Sequence, residues 1–367
     1  MIYNKYTLKE LATIRYGKNQ KNVVSSDGSF PIYGTGGLMG YASKYLYDKP
    51  SVLIGRKGTI DKVRYVTHPF WTVDTLFYTE INDAIVIPHF LYYVLSLLDM
   101  RKYNEGTSIP SLRTETLNRL ELYIPPLSEQ KKILSFIEPI EEKIDINSRI
   151  NRNLSEQAKA LFEEELLKFD SVPEGWKKGS LSDIADYLNG LAMQKFRPGD
   201  DEKGLPVLKI KELRQGSCDA NSELCSLSIK PEYIIHDGDV IFSWSGSLLV
   251  DFWCGGECGL NQHLFKVTSK KYDKWFYYAW TLYHLDRFIA VAADKATTMG
   301  HIKREELSKA EVLIPDSDSY KRIGEVLGPL YDIIISNRVE NRRLATLRDE
   351  LLPMLMSGEM DVSEVEL

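Results

Sequence analysis

An internal repeat constrains the fold of this chain more than any other feature of its sequence. When the sequence is shifted by 190 residues, residues 107–154 align with residues 297–344 without a gap, and 14 of the 48 positions are identical. Shorter upstream segments align as well: 8–17 with 181–190, 51–59 with 239–247, 73–79 with 261–267 and 90–98 with 275–283. The 367 residues therefore predict one structural unit of about 180 residues that is used twice.

Both copies show the same order of sequence patterns. A short amphipathic helix precedes Gly-punctuated runs rich in Val, Ile and Tyr, which are typical of strands. An apolar aromatic helix follows at residues 88–98 and 274–283, then a loop rich in Gly, Thr and Ser, one more strand and a long helix. We predict an α+β fold of two globular α/β domains joined by two long helices in an antiparallel coiled coil. The predicted boundaries are 1–125 and 171–315 for the globular domains, and 126–170 and 316–367 for the helices with the C-terminal tail.

The long helices carry apolar residues at the three-and-four spacing of a coiled-coil seam. The seam is interrupted by Asn at the same place in both copies. An antiparallel pair would place Asn147 opposite Asn341 and Asn151 opposite Asn337, where buried amides specify register. Alternatively, the Asn residues lie on a solvated stripe and each helix packs on its own domain. The predicted helix-pairing residues are Ile137, Ile140, Ile144, Asn147, Asn151, Leu154, Leu327, Leu330, Ile334, Asn337, Asn341 and Leu344.

The ends of these helices and their prolines give further expectations. Ser128 and Asp318 each follow a Pro-marked loop and are the predicted N-caps. Pro139 and Pro329 lie inside the helical pattern and predict a bend or a short preceding helix.

Composition excludes several classes of protein. The hydrophobic fraction of 43% is sufficient for folded cores, and no apolar run approaches the roughly 20 residues of a membrane span. The N-terminal residues lack the apolar stretch of a signal peptide, so we expect a cytoplasmic protein with reduced thiols. The net charge is −6, which taken alone argues against DNA binding. Divided along the chain, however, residues 1–124 carry +4, while the helices and the tail carry most of the net negative charge.

A search for catalytic motifs finds none. The sequence has no phosphate-binding P-loop, no HExxH and no GxSxG motif. The [DNS]PP[YF] motif of amino-methyltransferases is also absent, because the Pro125-Pro126 pair is flanked by Ile124 and Leu127. The cysteines, Cys218, Cys225, Cys254 and Cys258, are compatible with zinc ligands, but they form no CxxC pair and are interpreted as free buried thiols.

Gly-flanked polar loops occur at matching positions of the two copies. Arg and Lys hydrogen-bond to the edges of guanine bases, while Ser and Thr hydrogen-bond to phosphates or to other bases. Each loop alone is also compatible with an ordinary surface turn. Because the loops recur while their side chains differ, the pattern favours two different half-sites. The candidate DNA-binding residues are Arg56, Lys57, Thr59, Lys62, Arg64, Thr107, Ser108, Arg113, Ser243, Trp244, Ser245, Lys295, Thr297, Thr298, His301 and Lys303.

The sequence resembles the specificity subunit of type I DNA restriction-modification systems over essentially its whole length. The motif LYIPPLSEQKKILSFIEPIEEKID (122–145) and its counterpart VLIPDSDSYKRIGEVLGPLYD (312–332) carry the resemblance. Further matching stretches are GWKKGSLSDIADYLNG (175–190), GLNQHLFKV (259–267) and LLPMLMSGEMDV (351–362). The chain departs from the family at IPDSDSY (314–320), where an IPPLxEQ-like run is usual.

The resemblance implies two target-recognition domains that each read one half of a split, asymmetric double-stranded DNA target. It implies assembly with two methyltransferase subunits, which use S-adenosylmethionine, and with two ATP-dependent, Mg²⁺-dependent restriction subunits. This chain would itself hold no cofactor or metal and catalyse no reaction, as part of a bacterial or archaeal defence system. About 30 paired helical residues would span roughly 45 Å, or about 13 base pairs. A fused enzyme with cryptic motifs and a pure protein-interaction scaffold are the alternatives.

Overall fold

The computed structural model describes residues 3–294 and 301–362. Its contacts divide the chain into two compact units. Unit 1 comprises residues 1–141 and 346–367, and unit 2 comprises residues 142–345. Each unit therefore contains one globular domain together with parts of both long helices.

Unit 1 begins with strands and ends in a long helix. Its elements are β1 (Asn4–Thr7), α1 (Leu8–Leu11), β2 (Ala12–Tyr16), β3 (Phe30–Gly34), β4 (Gly37–Ala42), β5 (Ser51–Gly55), β6 (Val63–Val66), β7 (Trp71–Thr72), β8 (Leu76–Ile81), α2 (Pro88–Ser96), α3 (Thr114–Asn118), β9 (Glu121–Ile124) and the start of α4 (Leu127–Phe162). The strands form an antiparallel sheet β2-β8-β5-β6, a small sheet β4-β3-β7 and the pair β1-β9. Every residue of β5 is buried, as its run of Ser-Val-Leu-Ile-Gly suggests for a central strand.

Unit 2 repeats this architecture. Its elements are β10 (Lys177–Ser180), α5 (Leu181–Ile184), β11 (Asp186–Asn189), β12 (Leu205–Leu208), α6 (Ile210–Gln215), β13 (Leu224–Cys225), β14 (Ile234–Ile235), β15 (Val240–Ser243), β16 (Leu249–Phe252), β17 (Cys258–Leu260), β18 (Leu264–Thr268), α7 (Lys274–Tyr283), α8 (Leu285–Asp294), α9 (Glu305–Ser308), β19 (Glu311–Ile314) and most of α10 (Ser317–Ser357). The sheets are β11-β18-β15-β16, β13-β12-β17-β14 and β10-β19. Each corresponds to a sheet of unit 1, so the predicted duplication of an α+β unit is confirmed.

The aromatic helices predicted in both copies are present as α2 and α7, and α7 lies almost entirely in the core of unit 2. There, Phe252 stacks on Tyr278 with ring centroids 3.9 Å apart. Leu327 and Ile334 of α10 belong to the same core cluster. In unit 1, Ile137 of α4 and Leu355 of α10 share a core cluster. The long helices therefore pack on the globular cores as well as on each other.

The two long helices run antiparallel within unit 2. Asn147 Nδ2 donates a hydrogen bond of 2.9 Å to Asn341 Oδ1, and Asn337 Nδ2 donates one of 2.9 Å to Asn151 Oδ1. The Asn pairs thus lie inside the helix pair, with Asn147 and Asn151 buried. Of the other helix-pairing residues, three are buried (Ile137, Leu327 and Ile334) and five are partly buried (Ile140, Ile144, Leu154, Leu330 and Leu344).

Both predicted N-caps are wrong by one or two residues. Helix α10 is capped by Asp316, whose Oδ1 accepts hydrogen bonds from the backbone N–H groups of Asp318 and Ser319 at 3.0 and 2.9 Å. Helix α4 begins at Leu127, which places Ser128 inside its first turn. Pro139 lies within α4, which continues through it to Phe162. Asp316, Ser317, Asp318 and Ser319 all have capping chemistry, so composition alone did not select the cap of α10.

The side chain that fastens the start of each helix differs between the copies. In unit 1, the buried Gln130 accepts from the backbone N–H of Ile87 at 2.7 Å and donates to two backbone carbonyls. In unit 2, the hydroxyl of Tyr320 accepts from the backbone N–H of Asp273 at 2.7 Å. Tyr320 aligns with Gln130. Although IPDSDSY departs from the family pattern, the start of the helix is therefore still hydrogen-bonded to its globular domain, through a different side chain.

A histidine in unit 1 joins α2 to α4. His89 lies between two carboxylates, with Nδ1 2.9 Å from Glu138 and Nε2 3.3 Å from Glu141, and its ring stacks on Tyr65 and Tyr93. Burial alone would lower the pKa of His89, but the hydrogen bonds to Glu141 and Glu138 outweigh it, and the pKa is raised. Folding therefore favours the protonated imidazole.

This arrangement predicts a pH dependence of stability. Because the folded pKa of His89 exceeds its unfolded value, its contribution is complete below the unfolded pKa and is lost as pH rises through the folded pKa. Urea unfolding of the full chain between pH 6 and pH 8 should therefore show a decline in stability. The variant His89→Phe keeps an aromatic ring against Tyr65 and Tyr93 and should flatten that decline. An unchanged slope in His89→Phe would contradict this role.

The four cysteines are free thiols, as predicted, and three of them are buried. Over the described residues, no helix combines the length and the apolar character that membrane crossing requires.

Candidate DNA interface

Two of the loops singled out in the first copy meet in unit 1. The loop at residues 55–59 follows β5, and the loop at residues 106–113 precedes α3. Gly58 N–H donates to Pro110 O, and Leu112 N–H donates to Arg56 O, each at 2.9 Å. Residues far apart in sequence therefore form one surface, which we call the unit-1 edge.

Glycines make this close approach possible. Gly58 has a φ of +85°, a left-handed conformation that glycine adopts without steric cost. A Cβ on Gly106 would lie 1.9 Å from Ile109 O, so a side chain is excluded there. Asn104 Oδ1 accepts from the backbone N–H groups of Gly106 and Ser111 at 2.9 Å. The second loop is therefore held by its own hydrogen bonds.

Arg56 lies at the centre of the unit-1 edge. Its guanidinium carbon is 5.5 Å from the ring centroid of Tyr16, which contacts Phe77 edge-on at 5.0 Å. Its backbone N–H donates to Thr75 O at 2.8 Å, so the position of the residue is fixed. Arg56 Nε is buried and has no hydrogen-bond partner among the described residues. A buried cationic donor without an acceptor is energetically costly, so Arg56 is a strained element of this surface.

The other candidates of the first copy differ in their surroundings. Lys57, Lys62, Thr107 and Ser108 are exposed, and Thr59 is partly buried. Arg113 forms an ion pair with Glu105 at 3.2 Å, so its charge is already partnered.

Arg64 lies on β6, opposite Leu53 of β5. Its guanidinium carbon is 5.6 Å from the ring centroid of Tyr33. Burial raises the pKa of Tyr33, and the charge of Arg64 opposes that shift. Arg64 also lies beside Gly37, because a Cβ there would be 3.3 Å from Arg64 Nη2. The Gly-rich turn between β3 and β4 therefore lies beside Arg64, and the run Gly-Thr-Gly-Gly at residues 34–37 marks it in the sequence.

Unit 2 reproduces the backbone connections of the unit-1 edge. Ile302 N–H donates to Trp244 O at 3.1 Å, as Leu112 does to Arg56. Ser245 forms a bridge with His301, as Lys57 does with Ser111. Gly246 has a φ of +64° and corresponds to Gly58. We call this second surface the unit-2 edge.

The side chains of the unit-2 edge have different chemistry. Trp244 occupies the position of Arg56, and its Nε1 donates to Asn189 Oδ1 at 2.9 Å. Its ring stacks on Phe265 with centroids 5.6 Å apart, and Arg304 covers the Phe265 ring at 5.4 Å. Asn189, Phe265 and Arg304 were not identified from the sequence, although the aligned segments place Asn189 at the position of Tyr16.

Two serines predicted to bind DNA are placed inside the loop instead. Ser243 is fully buried, and its hydroxyl donates to Ser245 O and Ser247 O at 3.2 and 2.9 Å. Ser245 is also buried, with Oγ 3.0 Å from His263 Nδ1. We therefore correct their role to holding the loop, because their side chains face the interior.

The remaining candidates of the second copy divide into two groups. His301 and Lys303 are exposed on the unit-2 edge. Lys295, Thr297 and Thr298 lie outside the described residues. Within the described ranges, no group of three or more His, Cys, Asp or Glu side chains is placed to hold a metal ion.

Comparison with known proteins agrees with this duplicated design. The model of the type I restriction modification DNA specificity domain matches residues 3–156 and 173–345. The MjaIX specificity subunit of Methanocaldococcus jannaschii is 24% identical over 354 residues, covering 87% of this chain and 80% of that protein. The HindI specificity subunit of Haemophilus influenzae is 20% identical over 366 residues, covering 77% of this chain and 79% of that protein.

A solved structure shows the same fold. The crystal structure of a type I restriction-modification S subunit from M. genitalium superimposes with a TM-score of 0.63 at 15% identity, and the match covers 96% of each chain. The two family matches coincide with the two copies of the repeat. This chain therefore belongs to the type I restriction modification DNA specificity family.

Proposed function

We propose that this chain is the non-catalytic specificity subunit of a type I restriction-modification complex, and that each unit reads one half of a split, asymmetric double-stranded DNA target. The observation that carries the proposal is the pair of matching edges. The bond from Leu112 N–H to Arg56 O recurs as the bond from Ile302 N–H to Trp244 O, while the side chains of Arg56 and Trp244 differ in chemistry. A common scaffold with different side chains is what two unlike half-sites require.

We further propose that the long helices set the gap between the half-sites. Helix α4 has 36 residues and α10 has 41, lengths of about 54 and 62 Å at the usual rise per residue. The Asn pairs support a fixed register between them, since buried amides penalise slippage. A fixed register is a requirement for any molecular ruler.

Two apolar grooves at equivalent places support binding of two copies of one partner. Groove 1, of about 740 Å³, is lined by Leu97 and Leu98 next to Pro353 and Met356 of α10. Groove 2, of about 540 Å³, is lined by Leu282 and Tyr283 of α7 next to Phe162, the last residue of α4, and Glu163. The aligned segments pair Leu97 with Leu282, and the 190-residue shift pairs Pro353 with Glu163. Exposed apolar patches of this kind are typical of protein interfaces.

We propose that the partners are two methyltransferase subunits that bind S-adenosylmethionine, with two restriction subunits supplying the ATP- and Mg²⁺-dependent functions, all in the cytoplasm. The net charge of −6 supports this division of labour. Phosphate attraction provides much of the affinity of DNA-binding proteins, and an acidic chain gains it most readily from a partner.

The direct test compares the chain alone with the assembled methyltransferase. Alone, the chain should bind DNA weakly and show neither methylation nor cleavage with S-adenosylmethionine, ATP and Mg²⁺. With its partner, it should bind one target selectively and direct methylation to it. Methylation or cleavage by the isolated chain would favour a cryptic enzyme. Assembly without any sequence selectivity would favour an interaction scaffold.

The grooves predict a stepwise loss of partner. Leu97 and Leu282 are 43% and 39% exposed, so an aspartate at either position should be tolerated by the fold while placing a charge in the groove. Leu97→Asp and Leu282→Asp should each reduce the complex from two partner copies to one, and the double variant should bind none, as measured by native mass spectrometry. Leu227→Asp, at a leucine 54% exposed outside both grooves, is the matched control. Full occupancy in the double variant would exclude the grooves as the binding surfaces.

A further inference from the structure

The unit-2 edge contains an open cavity that has an aromatic floor and a basic rim. The cavity has a volume of about 400 Å³ and is lined by Trp244, Phe265, Asn189 and the run from His301 to Arg304. Lys303 and Arg304 are exposed at its rim. Its size is in the range of small-molecule sites and admits the edge of a nucleobase.

The polar atoms near the floor already have partners within unit 2. Trp244 Nε1 donates to Asn189 Oδ1, and Asn189 Nδ2 lies 3.4 Å from Gly190 O. Arg304 Nη2 donates to Tyr187 O at 2.9 Å. The stacked rings of Trp244 and Phe265 have no acceptor to offer. The two rings of the floor therefore form an apolar surface, which favours contact with a carbon group.

The position of the Trp244 ring is fixed by the same backbone frame that holds Arg56. The backbone carbonyl of Trp244 accepts a hydrogen bond from Ile302 N–H, and the backbone N–H of Trp244 donates to His263 O at 3.4 Å. The side chain is thus the main difference between the two edges at this point. A guanidinium presents paired donors, whereas an indole whose N–H is occupied presents a hydrocarbon face.

We infer that Trp244 and Phe265 form a specificity pocket for the C5-methyl group of a thymine in the half-site read by unit 2. In the major groove, the thymine methyl is the one apolar group that the four bases display. The polar edges of the other bases would lose hydrogen bonds to water against these rings without replacement. Lys303 and Arg304 at the rim are placed to contact the flanking phosphates. This inference rests on the proposed function and adds the chemical group that one edge recognises.

The test uses the assembled methyltransferase and duplexes of its mapped target. The half-site weakened by Arg56→Ala is assigned to unit 1, and the other to unit 2. Each thymine of the unit-2 half-site is then replaced in turn by deoxyuridine, which removes only the methyl group. At one position, the wild-type complex should lose about fourfold in affinity, the value expected for burial of one methyl group. When deoxyuridine is placed in the unit-1 half-site instead, any change in affinity should be the same in the wild-type and Trp244→Ala complexes.

A double substitution of protein and DNA completes the design. In the Trp244→Ala complex, thymine and uracil at the sensitive position should bind equally, while recognition of the unit-1 half-site is retained. Retained recognition also shows that the variant is folded. The inference is overturned if no thymine position is sensitive, if the sensitivity persists in Trp244→Ala, or if the unit-2 half-site contains no A·T pair. The absence of selectivity for either half-site would instead refute the proposed function itself.

Discussion

Removing residues 140–146 from α4 together with residues 342–348 from α10 is expected to shorten the gap of the DNA target by about three base pairs. Seven helical residues correspond to roughly 10 Å of helix, and each base pair occupies about 3.4 Å of duplex. The two stretches lie opposite each other in the register that joins Asn147 to Asn341. Both Asn pairs remain after the deletion. Because seven residues are close to two full turns, removing them rotates the remaining helix face by only about 20°.

The measurement is methylation of a series of duplexes that keep both half-sites and vary the gap between them by one base pair at a time. The variant complex should methylate the shortened-gap duplex and lose activity on the parental one, with neither block changed. Deleting residues 140–146 alone provides the control, since it displaces the Asn pairs and should impair assembly at every gap. An unchanged gap in the paired deletion would rule out the helices as the ruler.

The second large effect is expected from Arg56→Ala, which should weaken recognition of one half-site only. A bidentate arginine–guanine contact contributes about 1–3 kcal/mol of discrimination, which corresponds to roughly 5- to 150-fold in affinity. Arg56 is suited to this contact because a backbone hydrogen bond to Thr75 fixes the residue and Tyr16 supports its guanidinium. Arg56→Lys should recover little, because an ammonium keeps the charge without the planar fork.

Competition binding with duplexes altered in one block or the other separates this role from a general loss of charge. The control variant is Arg101→Ala, an exposed arginine of unit 1 that pairs with Asp61 and is not among the candidate DNA-binding residues. Arg101→Ala should leave the discrimination at both blocks intact. Equal losses on both half-sites with Arg56→Ala would show that Arg56 is not a base-reading residue.

The architecture could be predicted because the repeat carries information that a single copy lacks. The Asn residues of one helix have no evident partner until the 190-residue shift is combined with an antiparallel arrangement, which brings Asn147 to Asn341. The meeting of distant loops could not be predicted in detail, although both loops were found. Their contact depends on β5 and α3 being brought together by the fold, and local sequence does not specify that.

The errors have physical causes that particular residues illustrate. Ser-Trp-Ser-Gly-Ser has the composition of an exposed polar loop, yet strand β15 continues through Ser243, and its hydroxyl is satisfied by carbonyls within the turn. Similarly, Asp316 and Asp318 have the same capping chemistry, and only the path of the chain after β19 decides between them.

If the two units are two versions of one scaffold, this single chain reads two separate half-sites of its DNA target. Genome-wide mapping of methylated bases, in cells that carry this chain with its methyltransferase partner, tests it most directly. The expected result is a single asymmetric motif in which two short specific half-sites flank a gap of fixed length, and Arg56→Ala should relax one half-site alone. A continuous motif, a variable gap, or relaxation of both blocks by that one substitution would contradict it.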